Sequence, residues 1–171
     1  MLVFVTVGST RFDALVQAAL SDRVLAALSQ AGYTTIAIQC GNSDFAHAHS
    51  IQNGETLNIQ QQHVTIEMYK FKPSLEADYE RADMVISHAG SGTILDVLRL
   101  GKPLIVVPNP TLLDNHQEEL AAALEELDHL RSSTVSDLAH TIETFDRSAI
   151  VKFPPQDPSR FRRLVDEEMG F

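Results

Sequence analysis

His88-Ala89-Gly90-Ser91-Gly92-Thr93-Ile94-Leu95-Asp96 is the stretch of this 171-residue chain whose residue types and spacing are best suited to chemistry. The residues before it, Asp83 to Ser87, read as a short buried strand. After it, Ile94, Leu95, Val97 and Leu98 fall at helical spacing. Ser91 and Thr93 therefore stand near a helix N-terminus, where the first N–H groups lack intrahelical partners and the helix dipole is positive, so an anionic group binds there. Gly90 and Gly92 remove side chains that would block its approach. Asp96, about one turn further along, aims a carboxylate at a sugar hydroxyl, as an acidic residue does for the ribose in dinucleotide-binding folds. The chemistry implied is the holding of a nucleotide-sugar. The competing reading is an ordinary Gly-rich strand-to-helix turn, with Thr93 as a cap and Asp96 solvated, because the stretch is not the full G-x-G-x-x-G fingerprint.

Two further segments favour the first reading. Val3 to Arg11 is an apolar strand that runs into Gly8, Ser9 and Thr10 just before a helix-like stretch. Ile105 to Gln117 is a strand end flanked by prolines and followed by Asp114-Asn115-His116-Gln117, four hydrogen-bonding side chains that open another helix. Three polar loops at strand ends predict one crevice. Within it, His116 and Gln117 read either as solvated residues of a helix start or as contacts to a bound ligand.

The elements that must position these loops alternate along the chain. Strands are expected at Leu2 to Val7, Thr34 to Gln39, Leu57 to Ile59, Val64 to Tyr69, Met84 to Ser87 and Leu104 to Val107, with a further one at Arg131 to Val135. Helices are expected over Phe12 to Ala31 with a break at Ser21-Asp22, over Pro73 to Arg81 opened by the proline, over 91 to 100, and over about 115 to 128. Gly32 marks a helix stop. Residues 41 to 56 are polar and rich in His, Asn, Ser and Gly, the composition of a mobile loop. Strand-helix alternation predicts an α/β fold, a Rossmann-like parallel sheet with helices on both faces, in which ligands lie beyond the carboxyl ends of the strands. Residues 1–152 form the nucleotide-sugar-binding domain on this reading. Residues 153–171 form a Pro-rich linker and a C-terminal helix whose apolar face carries Phe161, Leu164 and Val165.

Composition excludes several classes. A formal net charge of -10 disfavours nucleic acid and direct adsorption to an anionic membrane. Apolar runs fall far short of the roughly 20 residues that span a bilayer, and Met1 to Gly8 reads as a first strand rather than a signal peptide, so a cytoplasmic protein is expected. The single cysteine, Cys40, reads as a small buried residue. His47 and His49 make at most a weak metal pair, and neither a metal nor a cofactor is expected. A hydrolase triad of His88, Ser91 and Asp96 lacks the G-x-S-x-G elbow and the geometry to converge. At 44% hydrophobic content the chain is long enough for one core and too short for two Rossmann-like domains.

Phe4-Val5-Thr6-Val7-Gly8-Ser9-Thr10, Ile86 to Asp96, Leu100-Gly101-Lys102-Pro103-Leu104-Ile105-Val106 and Asp114-Asn115-His116-Gln117 together resemble the small soluble subunit family of the eukaryotic two-subunit N-acetylglucosaminyltransferase, which makes the second sugar transfer in dolichol-linked oligosaccharide synthesis. Those subunits are similar to the C-terminal, donor-binding half of GT-B glycosyltransferases, so a single GT-B half-domain is implied. Asp96 stands where many relatives carry Glu, one methylene longer.

The resemblance implies binding of UDP-GlcNAc through Gly8, Ser9, His88, Gly90, Ser91, Gly92, Thr93, Asp96, Asn115, His116 and Gln117, with His116 and Gln117 at the sugar. It implies an inverting transfer to GlcNAc-diphosphodolichol, the acceptor being held by a membrane-anchored partner subunit. Phe161, Leu164 and Val165 dock on that partner, and the protein is recruited to the cytosolic face of the endoplasmic reticulum. No residue here is a convincing general base, which places the base in the partner. Two alternatives are another GT-B-like nucleotide-sugar enzyme, such as a 2-epimerase, and a non-catalytic nucleotide-binding regulatory or scaffold subunit.

Overall fold

The computed structural model describes residues 1–111 and 116–155. Seven strands form one sheet: β1 (Leu2–Thr6), β2 (Thr35–Gln39), β3 (Leu57–Gln61), β4 (Val64–Tyr69), β5 (Met84–His88), β6 (Leu104–Val107) and β7 (Arg131–Ser132). Their spatial order is β3-β4-β2-β1-β5-β6-β7, and every neighbouring pair is parallel except the β3–β4 hairpin at one edge. The helices are α1 (Asp13–Ala19), α2 (Asp22–Gln30), α3 (Glu76–Arg81), α4 (Ser91–Arg99), α5 (His116–Glu126) and α6 (Leu138–Glu143). The alternation read from the sequence is present, including the break between α1 and α2, where Ser21 accepts the Val24 N–H as an N-cap.

The central strands β1, β2, β5 and β6 are largely apolar runs because both of their faces are covered. Alternate residues point to opposite sides. Val3, Val5, Ile36, Ile38 and Ile86 meet Leu15, Val16, Leu25, Leu28, Leu138 and Ile142 of α1, α2 and α6. Phe4, Ala37, Val85 and Val106 meet Tyr79, Ile94, Val97, Leu98 and Ala121 of α3, α4 and α5. This is the doubly wound arrangement expected.

After β1 the chain moves to β2 and β4 on one side, then returns to lay β5 on the other side. The loops after β1 and β5 therefore diverge from a common point, the topological switch at which open α/β sheets hold ligands.

Three expectations need correction. The 41–56 segment is anchored rather than loose: Phe45 and Ile51 are buried in the core, a 3₁₀ turn spans Ala48–Ser50, and the Ser43 hydroxyl accepts the Phe12 N–H at 3.0 Å. Two apolar residues among sixteen were enough to pin it. Pro73 does not open α3, which begins at Glu76 with the Ser74 hydroxyl accepting the Glu76 N–H. Phe153 belongs to the core rather than the linker, because its ring packs edge-on against His129 at 5.2 Å. Phe161, Leu164 and Val165, expected to dock a partner, lie outside the described residues.

The β3–β4 turn is made by Gln62 and His63, both with positive φ (49° and 65°). This is the backbone of a tight hairpin turn that Asn-Gly adopts most easily. Left-handed backbone costs an L-residue about 1–2 kcal/mol. His63→Gly should therefore raise stability by about 1 kcal/mol, or about 2–4 °C in melting temperature for a chain of this size. A calorimetric melt that shows no rise would contradict it.

Candidate functional site

Loops from five strands meet at the carboxyl edge of the sheet, and α4 supplies its sharpest feature. Gly90 is the N-cap of α4, in extended backbone (φ −77°, ψ 127°), and offers no side chain to the first turn. Ser91 and Gly92 are exposed, and no acidic residue lies in that turn. The first N–H groups are thus left without side-chain caps in a positive dipole, the condition for holding an anion. Nothing lies within 4 Å of where a Gly92 Cβ would be, so the approach is open as expected. Asp96 is exposed four residues on, which puts it on the same helix face as Gly92. It lines a groove of about 510 Å³ with Ser74, Leu75, Glu76, Tyr79, Arg99 and Leu100.

Gly8, His88 and Gly90 have a different relation from the one expected. A Cβ on Gly8 would lie 2.6 Å from His88 Cε1, and a Cβ on Gly90 would collide with His88 Nε2. Both glycines make room for the imidazole, which is packed between them and is 6% exposed. Its Nδ1 and the neighbouring Ser87 Oγ are buried without hydrogen-bond partners among the described residues. Burial pushes the His88 imidazole below its ordinary range, which keeps it neutral at pH 7. Spacing alone gave no sign that the glycines serve a histidine.

Gly8 and Ser9 do not sit at a helix N-terminus. Gly8, at φ 59°, donates its N–H to Thr6 Oγ1 at 3.0 Å, and α1 starts only at Asp13. That helix start is occupied by its own groups: the Asp13 carboxylate is bonded by Arg11 and by the Asp44 N–H, which hold it below the usual carboxylate range. An acidic side chain thus stands in the first turn of α1 and none in that of α4.

Gln39, buried at the end of β2, was missed by sequence reasoning. Its Oε1 accepts the Thr6 hydroxyl at 2.5 Å, and its Nε2 donates to the carbonyls of Gly8 at 3.0 Å and Lys70 at 2.8 Å. Asn109 was missed as well. Its side chain donates to the Arg11 carbonyl at 3.3 Å and accepts from Thr111, while its N–H goes to Gln117 Oε1 at 3.2 Å. An Asn between Pro108 and Pro110 was the available signal. The Gln117 carbonyl is thus spent on the β6 loop, and its NH2 makes no hydrogen bond among the described residues. His116 is exposed, 3.8 Å from Glu119. Asn115 lies outside the described residues.

Residues 2–166 match the family model described as the glycosyltransferase family 28 C-terminal domain. The UDP-N-acetylglucosamine transferase subunit ALG13 of Mus musculus is 39% identical over 127 residues, 74% of this chain and 10% of that protein. The subunit of the same name from Cryptococcus neoformans var. neoformans serotype D is 33% identical over 195 residues, 99% of this chain and 96% of that protein. The chain spans a small part of the mouse relative and nearly all of the fungal one. A solution structure of ALG13 matches with a TM-score of 0.67 at 27% identity, covering 99% of this chain and 96% of that one. Acinetobacter baumannii MurG matches with a TM-score of 0.68 at 20% identity, covering 99% of this chain and 49% of that one, a likeness of fold alone.

The burial of His88 has a consequence for pH. Because its folded value lies below the ordinary 6.5, the neutral ring stabilises the fold above that pH, and stability is lost as pH falls from 6.5 through the folded value. Asp13 and Asp146, also lowered, contribute in the same direction only near and below their ordinary 3.8. Melting temperature followed from pH 7.5 downward should decline below 6.5 in the wild type and more shallowly in His88→Gln. Parallel curves would show that the ring is not desolvated.

Proposed function

The chain belongs to the glycosyltransferase family 28 C-terminal domain family, and from that membership we propose that it is the UDP-GlcNAc-binding subunit of an inverting N-acetylglucosaminyltransferase. Its fold is a single GT-B half-domain, a doubly wound sheet with the switch point between β1 and β5. The acceptor is GlcNAc-diphosphodolichol, presented by a membrane-anchored partner at the cytosolic face of the endoplasmic reticulum. Among the described residues no helix is long and apolar enough to cross a membrane. Attachment to the membrane is therefore assigned to the partner, with Phe161, Leu164 and Val165 as the docking face.

The observation that carries this reading is the α4 N-terminus, free of side-chain caps and carboxylates, beside a buried His88 whose Nδ1 has no partner among the described residues. The diphosphate of the donor sits there. The acceptor hydroxyl attacks the anomeric carbon from the face opposite UDP. The bond from that carbon to the β-phosphate oxygen breaks, and its electron pair stays on the departing UDP. Backbone N–H groups of Ser91, Gly92 and Thr93 stabilise that growing charge, an effect typically worth a few kcal/mol per donor. Asp96 takes the ribose hydroxyls along the same helix face, while His116 and the Gln117 NH2 read the sugar. The proton of the acceptor hydroxyl leaves to a base in the partner.

Gly92→Val fills the open approach with a side chain whose Cβ meets nothing within 4 Å, so the fold should stand while UDP binding by calorimetry and transfer in the complex with the partner are lost. A variant with wild-type transfer would refute the diphosphate site. Asp96→Ala should weaken UDP and UDP-GlcNAc alike, by about tenfold for one lost charged hydrogen bond. His116→Ala should leave UDP unchanged and weaken UDP-GlcNAc alone, and equal losses for both ligands in both variants would overturn this division. The purified chain should not transfer GlcNAc until the partner is added, which a radiolabelled donor assay decides.

A further inference from the structure

Thr6 and Gln39 have no surface from which to touch a ligand, at 0% and 1% exposure, yet their side chains make four hydrogen bonds at the switch point. They extend, on the same face of the sheet, the apolar rows that begin with Phe4 and Ala37. At Thr6 and Gln39 those rows turn polar just where the strands end. The Thr6 hydroxyl donates to Gln39 Oε1 and accepts the Gly8 N–H, and Gln39 Nε2 donates to the Gly8 carbonyl. Both backbone groups of Gly8 are thus held by this pair. The second Nε2 hydrogen goes to the Lys70 carbonyl, which also accepts the Gly41 N–H at 3.2 Å. Reversing the amide would set its oxygen against two carbonyl oxygens, so the chemistry admits one orientation.

We infer that Thr6 and Gln39 are positioning residues for donor binding: they lock Gly8 into the left-handed turn that seats the His88 ring beside the N-terminus of α4, and they tie the loops after β1, β2 and β4 into one rigid edge. The role at the donor rests on the proposed function; the seating of His88 does not. Gly8 presses on one side of the imidazole and Gly90, the cap of α4, on the other. Movement of Gly8 therefore displaces the ring and, through it, the helix start. Because both side chains are fully sequestered, their loss reaches the donor only through this chain of contacts.

The full chain is tested as four variants. Gln39→Glu keeps the shape but presents a carboxylate to two carbonyls. Thr6→Val keeps the shape and removes the hydroxyl, and Thr6→Ser keeps the hydroxyl. The double variant joins Gln39→Glu to Thr6→Val. UDP affinity is measured by calorimetry, and the His88 titration by NMR in the absence of nucleotide. Gln39→Glu and Thr6→Val should each weaken UDP by about tenfold. Thr6→Ser should stay within about twofold of wild type, and the double variant should be little worse than the poorer single, because both break one bridge. The His88 titration should move in the two weakened variants and hold in Thr6→Ser.

A general loss of stability would lower the melting temperature in all variants without separating Ser from Val or moving His88. Folded variants with unmoved His88 titration, or equal effects of Ser and Val at Thr6, overturn the inference. If the wild type itself binds no UDP, the donor reading fails, while the His88 titration still decides the positioning role. Should Gln39→Glu fail to fold, the uncharged Thr6 pair carries the comparison alone.

Discussion

The His88 imidazole, held between Gly8 and Gly90, is the contact on which the carboxyl edge of the sheet is organised. It exists because β1 and β5, separated by nearly eighty residues of chain, are parallel neighbours in a register that pairs Thr6 with Ser87. At their amino ends the pairing is pinned by the Asp83 carboxylate, which accepts the Leu2 N–H at 2.7 Å. One residue past the Ser87 pairing, His88 enters the space over which the β1 chain bends at Gly8. Any side chain at Gly8 or Gly90 would have to displace the ring. With the ring in place, the cap of α4 has one position, and the helix dipole is aimed at the divergence of the two loops. The site is thus a consequence of strand register before it is a matter of any single ligand-binding residue.

The electrostatics follow a similar logic. For the proposed donor, a protein with a net charge of -10 has to offer the diphosphate a locally favourable spot. Cations on the surrounding loops do little toward this. Arg11 is committed to Asp13 at 2.6 Å, and Lys72 to Asp78 at 2.8 Å, the latter a buried carboxylate that also accepts the Tyr69 hydroxyl. Lys70 makes no ion pair among the described residues. Beside it stands the backbone of α4, whose first turn is kept clear of acids where those of α1, α2 and α5 carry them. Fixed dipoles of this kind need no reorganisation as charge develops on the departing phosphate, which is the setting in which such stabilisation is most effective.

Much of this architecture was legible in the sequence because it depends on periodicity. The central strands β1, β2, β5 and β6 are largely apolar runs of four or five residues, and α4 and α2 show a clear apolar face, so the doubly wound class and the α4 turn could be read directly. What the sequence hid were contacts made across the switch point. Nothing in the spacing of Gly8 and Gly90 says that an imidazole lies between them, because the two glycines are 82 positions apart. Gln39 looked like the polar end of a strand, and only the sheet order places it against Gly8 and Lys70. The 41–56 segment was misjudged because its composition outweighed Phe45 and Ile51, whose burial depends on the helices above them.

Satisfaction of hydrogen bonds sorts the residues at this edge into two kinds, and the sorting bears on which of them act on a ligand. Gly8, Thr6, Gln39 and Asn109 have their polar groups engaged within the protein, and drawing one away to bind a donor would leave a buried partner unpaired at a cost of about 1–3 kcal/mol. They form the frame. Ser91, Gly92, Asp96 and His116 are exposed, and His88 Nδ1, though buried, lacks a partner among the described residues. These can gain interactions without losing any. Gln117 belongs to both kinds, its carbonyl fixed to the β6 loop and its NH2 without a hydrogen bond among the described residues, so its position is set by the frame. Under the proposed function, a donor entering this crevice meets groups of α4 and α5 held at fixed separation by satisfied ones from β1, β2 and β6, and selectivity for a diphosphate-linked sugar then depends on how little that frame moves.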